Sequence, residues 1–203
     1  MKNEIIENHQ RYLDRIERYN QYGYDIDKER FFIIEKAQPI AGNILEVGTG
    51  KGYFTLALAR AGYSFFSFDI SAEEQRYALL NLMYYGLEQQ VSFGLADIES
   101  MPCEDGFSDV IFAVNMIHHL SSVRKACSEL VRILSTKGKI VLSDFNAQGL
   151  AIVDKIHAHE GHRHEINSGT IAEAKNVFIE LGLVVEEHQG ETQNILIAHK
   201  IVI

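Results

Sequence analysis

Apolar residues recur in this chain first at helical spacing and then in short runs that alternate with amphipathic stretches. Over residues 3–22 the chain is polar, with Ile5, Ile6, Tyr12, Leu13, Ile16 and Tyr19 near helical spacing, which predicts a helix broken at Gly23. A second short helix is predicted over 27–37. From Asn43 onward the rhythm changes. Residues 44–47, 64–68, 91–95, 109–114 and 139–143 read as strands, and the stretches after the first, second and fourth read as helices. Gly62 closes the first of these helices, and Ser71 with Glu74 three residues later opens the next as a reciprocal cap. The helix after the fourth strand carries Val123, Ala126, Cys127, Leu130, Val131 and Leu134 on one face, and Lys137-Gly138 turns the chain into the fifth strand.

Beyond that strand, Thr170 with Glu173 opens another helix and Gly182 stops it. Two last strands, 183–187 and 194–201, are separated by a short polar loop containing Gly190. No helix fits between them, so they pair as an antiparallel hairpin. The expected fold is α/β: a doubly wound, seven-stranded sheet between two helical layers, with an antiparallel last strand. Residues 1–37 are expected to form a helical cap on a ligand-binding domain over 38–203.

Composition narrows the function classes. The chain has 203 residues, 46% apolar and 23% charged, which suits one soluble globular domain. No apolar run approaches the ~20 residues of a membrane span, and the first residues lack a signal-peptide core. Cys103 and Cys127 have no metal-type spacing, so a reduced, cytoplasmic setting and no membrane partner are expected. The net charge of −9, without a basic run, leaves no footprint for nucleic acid and favours a small-molecule substrate.

The densest chemical signal is Ile44-Leu45-Glu46-Val47-Gly48-Thr49-Gly50-Lys51-Gly52. An apolar strand ends there in an acid, and three glycines at alternate positions lead into a helix. Such a turn admits positive φ and brings a ligand close to the backbone amides at the helix start. Its G-x-G-x-G spacing fits neither the dinucleotide fingerprint nor the phosphate loop. In open α/β sheets ligands lie beyond the carboxyl ends of the strands. Asp69 ends the second strand 21 residues after Gly48, near the offset at which a carboxylate meets ribose hydroxyls, and Asp97 follows the third strand.

These motifs resemble those of class I S-adenosylmethionine (SAM)-dependent methyltransferases. The resemblance runs through residues 46–52, Phe68-Asp69-Ile70-Ser71, Ala96-Asp97-Ile98, Phe107-Ser108-Asp109-Val110-Ile111 and residues 134–139, covering roughly 42–145. It implies a Rossmann-like fold and SAM as cofactor, with S-adenosylhomocysteine as product. It also implies residue roles. The backbone around Gly48, Thr49 and Gly50 would hold the methionine moiety, with Glu46 near its amino group through water. Asp69 would bind the ribose, Ile70 would pack on the adenine, and Asp97 and the Ile98 amide would read adenine nitrogens. Asn115 would line the methionine side.

The reacting end is expected after the fourth strand, at Asn115-Met116-Ile117-His118-His119-Leu120-Ser121. Methyl transfer needs alignment, and a base only where the nucleophile must lose a proton. His118-x-Leu120-Ser121 resembles the His-Asp-Trp-Ser segment of small-molecule O-methyltransferases, in which the His is the base; here His119 and Leu120 replace Asp and Trp. His118 and His119 are therefore the catalytic candidates. No Asn-Pro-Pro-Tyr-type motif follows, which argues against amide or base-nitrogen acceptors.

Four of the nine histidines, His157, His159, His162 and His164, cluster with Glu160 after the fifth strand. They read either as ligands of Zn²⁺ or Fe²⁺ or as a solvated lid. Tyr19, Tyr22, Tyr24, Phe31 and Phe32 are candidates to close over the acceptor. The expected function is methyl transfer from SAM to a small molecule. The alternatives are a metal-assisted variant, a SAM-binding protein without transferase activity, and an NAD(P) oxidoreductase, which the glycine spacing disfavours.

Overall fold

The structure, a computed structural model, describes residues 2–159 and 169–200. Two N-terminal helices, α1 (Lys2–Gln21) and α2 (Ile26–Lys36), precede a regular alternation of β1 (Ile44–Val47), α3 (Tyr53–Arg60), β2 (Phe65–Asp69), α4 (Ala72–Tyr85), β3 (Val91–Leu95) and β4 (Ser108–Val114). After a single 3₁₀ turn at Ile117–His119 come α5 (Val123–Ile133), β5 (Leu134–Phe145), α6 (Ala147–His159), α7 (Ile171–Glu180), β6 (Leu183–Gln189) and β7 (Gln193–Lys200).

The seven strands form one sheet in the order β3-β2-β1-β4-β5-β7-β6. β7 sits between β5 and β6 and runs antiparallel to both, while β1 to β5 pair in parallel. This is the expected doubly wound sheet with its hairpin. Period-two alternation assigns the two faces. Leu45, Ile111, Ala113, Ile140, Leu142 and Leu196 face α5 and α7 in one core. Their neighbours Ile44, Val110, Phe112, Val141 and Ile195 face α2 and α3 in the other. The expected N-terminal cap corresponds to α1 and α2; Tyr12, Ile33, Ile34 and Ala37 pack into that second core.

Strand order reverses between β1 and β4, which opens a crevice beyond their carboxyl ends. Ser71 Oγ accepts from the Glu74 amide at 3.2 Å, and Thr170 Oγ1 accepts from the Glu173 amide at 3.1 Å, as expected. The reciprocal half of the Ser71 cap is replaced: the Ser71 amide donates to Asp69 Oδ1 at 2.8 Å, not to Glu74.

Two elements differ from the sequence expectation. The chain passes from α5 into β5 at Leu134 with no intervening turn, and the register shifts between Ser108 and Val110 to absorb Lys137-Gly138. Ser135 Oγ donates to Asp109 at 2.7 Å, and Lys200 donates to the Leu134 carbonyl, so this irregular start of the strand keeps its polar groups bonded. The second difference is α6. Asn146 accepts from the Gly149 amide at 3.0 Å and starts a helix that buries Val153 and Ile156 against Tyr19, Tyr24 and Ile26. Among the described residues no helix is long and apolar enough to cross a membrane.

Candidate functional site

The glycine turn between β1 and α3 sits at the crevice. Gly48, Gly50 and Gly52 all have positive φ, at 80°, 49° and 80°. They do different work. A Cβ on Gly52 would lie 2.4 Å from the Ala78 Cβ, so this glycine lets α3 and α4 approach. A Cβ on Gly50 would meet nothing within 4 Å, and its backbone borders an open cavity.

Asp69 holds the turn in place. Its Oδ2 accepts from the Gly50 amide and its Oδ1 from the Ser71 amide, both at 2.8 Å. Each carboxylate oxygen retains a second lone-pair direction for a ligand. Asp97 is exposed on the next loop, with Oδ1 accepting from the Glu99 amide at 2.9 Å. Gly48, Gly50, Asp69, Ile70, Asp97, Ile98 and Asn115 line one cavity of about 440 Å³, together with Met116, His119 and Leu120. Ile70 is 75% exposed at its edge, an apolar surface that a flat ring would cover.

Glu46 and Thr49 lie behind the turn. Glu46 is 1% exposed, and its Oε2 accepts from Thr55 at 2.7 Å and from Ser67 at 2.6 Å. Ser67 in turn meets Thr49 at 2.6 Å, and Gln75 donates to Thr49 at 3.2 Å. These bonds tie β1, β2 and α4 to the turn from inside. Burial pushes the Glu46 carboxyl up to about 7, against the two hydroxyl donors and the distant Arg30 charge that pull it down.

The family profile described as a methyltransferase domain matches residues 45–142. The chain is 30% identical over 116 residues to the uncharacterized methyltransferase YcgJ of Bacillus subtilis, covering 57% of this chain and 46% of that one. It is 32% identical over 101 residues to ajmaline N-methyltransferase of Rauvolfia serpentina, covering 49% and 35%. Residues 45–142, just under half of the chain, thus carry the pattern of a methyltransferase domain. The chain spans about half or less of the length of these curated relatives. The crystal structure of a putative SAM-dependent methyltransferase of Methanococcus maripaludis shares the fold, with a TM-score of 0.71 at 23% identity, over 95% of this chain and 92% of that one.

A second cavity, of about 260 Å³, adjoins the first, and Asn115 and His119 line both. Asn115 closes β4 with φ 53°. With its amide oriented to satisfy its neighbours, Oδ1 accepts from Arg30 Nη2 at 2.8 Å and Nδ2 donates to Gln193 Oε1 at 2.7 Å. Gln193 also donates to the Tyr24 hydroxyl at 2.7 Å and accepts from Ser143 at 2.8 Å. Arg30 donates to the same Tyr24 hydroxyl at 3.3 Å. It is 7% exposed, lines the second cavity, and its Nε has no hydrogen-bond partner.

His118 is 5% exposed on the wall of that cavity. Its Nδ1 lies 2.8 and 2.9 Å from the two oxygens of Asp144. Asp144 ends β5, and it also accepts from the His118 and Phe145 amides at 3.2 and 2.8 Å. A carboxylate only accepts, so Nδ1 carries the hydrogen and Nε2 is the basic nitrogen of the neutral ring. His119 is exposed, its ring 4.0 Å from that of His118.

Of the aromatic candidates, Tyr19 and Tyr24 line the second cavity and Tyr22 approaches His159. Phe31 and Phe32 instead face a separate hollow beside Gly190, because α2 turns that side away from the crevice. His157 lines the second cavity at the end of α6. Glu160, His162 and His164 lie outside the described residues. Among the described residues no group of three or more His, Cys, Asp or Glu is placed to hold a metal. Arg30, Asp144 and Gln193 are the site residues that sequence reasoning missed. Asp144 had a signal, as one more acid at a strand end.

Proposed function

We propose that this chain transfers a methyl group from SAM to a proton-bearing atom of a small molecule held in the second cavity. The observation that carries the reading is the His118–Asp144 pair, on the wall of a cavity that meets the glycine-lined one at Asn115 and His119.

The residues present fit the cofactor. Asp69 offers carboxylate lone pairs to ribose hydroxyls, Asp97 and Ile98 flank the place for adenine, and the exposed Ile70 offers it an apolar face. Gly50 leaves its backbone bare toward the cavity. Arg30, a buried cation with an unbonded Nε, suits the methionine carboxylate. Glu46 and Thr49 act in this reading by fixing the turn from behind. Bound SAM supplies an electrophilic methyl group on a sulfonium.

The protein's share of the chemistry is alignment and one proton. His118 Nε2 takes the proton of the acceptor, and Asp144 keeps the imidazole in the tautomer and orientation that this requires. His119, at the junction, orients the acceptor. The helices α1 and α2 (the expected cap, 1–37) supply Tyr19, Tyr24 and Arg30 to the same wall and limit the acceptor's size. The likeness to ajmaline N-methyltransferase supports a small-molecule acceptor. The net charge of −9 supports one other than nucleic acid.

Titration calorimetry with SAM, S-adenosylhomocysteine and NAD tests the cofactor. Both adenosyl compounds bind and NAD does not; the reverse pattern overturns the reading. Asp69→Ala weakens both by at least about tenfold, and an unchanged affinity refutes the ribose role.

A further inference from the structure

The second cavity continues outward. A hollow of about 350 Å³ lies between α1 and α4, and Arg15, Lys51, Tyr53 and Glu74 line both spaces. Its wall is aromatic: Tyr12 and Tyr53 stack with ring centroids 5.3 Å apart, and Tyr77 stands opposite on α4.

Its charge runs against that of the molecule. The chain holds 19 Lys and Arg against 28 Asp and Glu. The described lining of the two connected spaces nevertheless gathers Arg11, Arg15, Arg30 and Lys51 against only Glu73 and Glu74. Glu73 is already engaged by the Tyr77 hydroxyl at 3.2 Å. Arg11 and Lys51 are exposed and make no ion pair with any described residue. Arg30 is deeper and is assigned above to the cofactor. Arg15 donates to the Tyr19 hydroxyl at 3.0 Å and stacks on its ring. That leaves two cations at the outer end, Arg11 on α1 and Lys51 on the glycine turn, with no acidic partner among the described residues.

We propose that the methyl acceptor carries an oxyanion, a carboxylate or a phosphate, remote from the methylated atom, and that Arg11 and Lys51 hold it in this outer hollow. This rests on the reading of the second cavity as the acceptor site. The flat part of the acceptor lies along Tyr12 and Tyr53, and its reacting atom faces His118. Two exposed cations add modest affinity and strong salt dependence, and they draw anions toward a mouth on an otherwise acidic protein.

The test uses aromatic probes that differ in the polar group they carry, with benzoate and benzamide as a charged and a neutral group of similar shape. Protein saturated with S-adenosylhomocysteine is titrated by calorimetry with benzoate, phenyl phosphate and benzamide. The two anions bind about tenfold more tightly than the neutral amide, and the advantage shrinks as salt is raised. The tighter of the two anions identifies the oxyanion. In the double variant Arg11→Gln, Lys51→Gln the anions fall to the level of benzamide, with thermal unfolding as the check on folding. Equal binding of amide and anions overturns the proposal. So does the absence of saturable anion binding, a preference indifferent to salt in the wild type, or a preference that survives the double substitution. Failure of S-adenosylhomocysteine itself to bind would instead remove the cofactor reading, which keeps the two failures distinct.

Discussion

A guanidinium with 7% of its surface exposed loses hydration that Tyr24 and Asn115, both neutral, replace only in part. An anion would complete the shell of Arg30, whose Nε has no hydrogen-bond partner, and S-adenosylhomocysteine carries a carboxylate that 5′-methylthioadenosine lacks. Arg30→Gln is therefore expected to weaken S-adenosylhomocysteine by about ten- to a hundredfold while leaving methylthioadenosine unchanged, as read by calorimetry. Equal losses for both would assign Arg30 a purely structural role. Asp144→Asn lets the partner atom donate as well as accept, so the imidazole loses its fixed tautomer. Turnover is expected to fall by roughly 10²–10⁴-fold with S-adenosylhomocysteine affinity retained, measured as product formed from SAM under single-turnover conditions. The position of His118 after β4 was legible. Its pairing with Asp144 and the approach of Arg30 were not, because one partner lies 26 residues away across the sheet and the other is brought in when α2 folds back.

At the scale of elements, the glycine turn was legible as a tight strand-to-helix turn with positive φ, yet its glycines are not equivalent. Gly52→Ala combines a φ of 80° with a Cβ 2.4 Å from Ala78, so α3 and α4 must separate. It is expected to destabilise by about 3 kcal/mol or more, read as a shift of the urea midpoint. Gly50→Ala has a φ of 49° and open space, and is expected to lose only about 1 kcal/mol. Its larger effect falls on cofactor affinity, since the new methyl group stands in the cavity. If both variants lost the same stability, the division of labour in the turn would be wrong. Strands β1 to β4 were legible because each is a short apolar run beside a turn signal. Helix α6 was not. Its buried side is narrow, with Val153 and Ile156, and its start depends on Asn146 bonding forward to Gly149. The join of α5 to β5 was missed for a related reason: Lys137-Gly138 has the composition of a turn, but pairing with β4 and a register shift absorb it.

For the molecule as a whole, the sheet order places an acid, Glu46, in a central strand that has neighbours on both edges and helices on both faces. The sequence reading put this carboxyl beside the cofactor, while the fold puts it against Thr55 and Ser67 with 1% exposure. Position along the strand was legible; which side of the pleat it occupies depends on sharing a face with Ile44, toward α3. The consequence reaches global stability. Burial raises the folded-state value to about 7 from an ordinary 4.5, so between those values the folded chain keeps a proton that the unfolded chain has released. Stability from this group is then complete below the unfolded value and is lost as pH rises through the folded one, by up to about 3 kcal/mol. Glu46→Gln keeps the acceptor for both hydroxyls and cannot ionise. Denaturant unfolding of the cofactor-free protein between about pH 5 and 8 is expected to show wild-type stability falling toward the alkaline end and a flatter profile for Glu46→Gln, the variant gaining most where the wild type is weakest. Parallel profiles for the two proteins would mean that Glu46 is ionised in the folded state throughout, with its charge compensated inside the β1–β2–α3 junction.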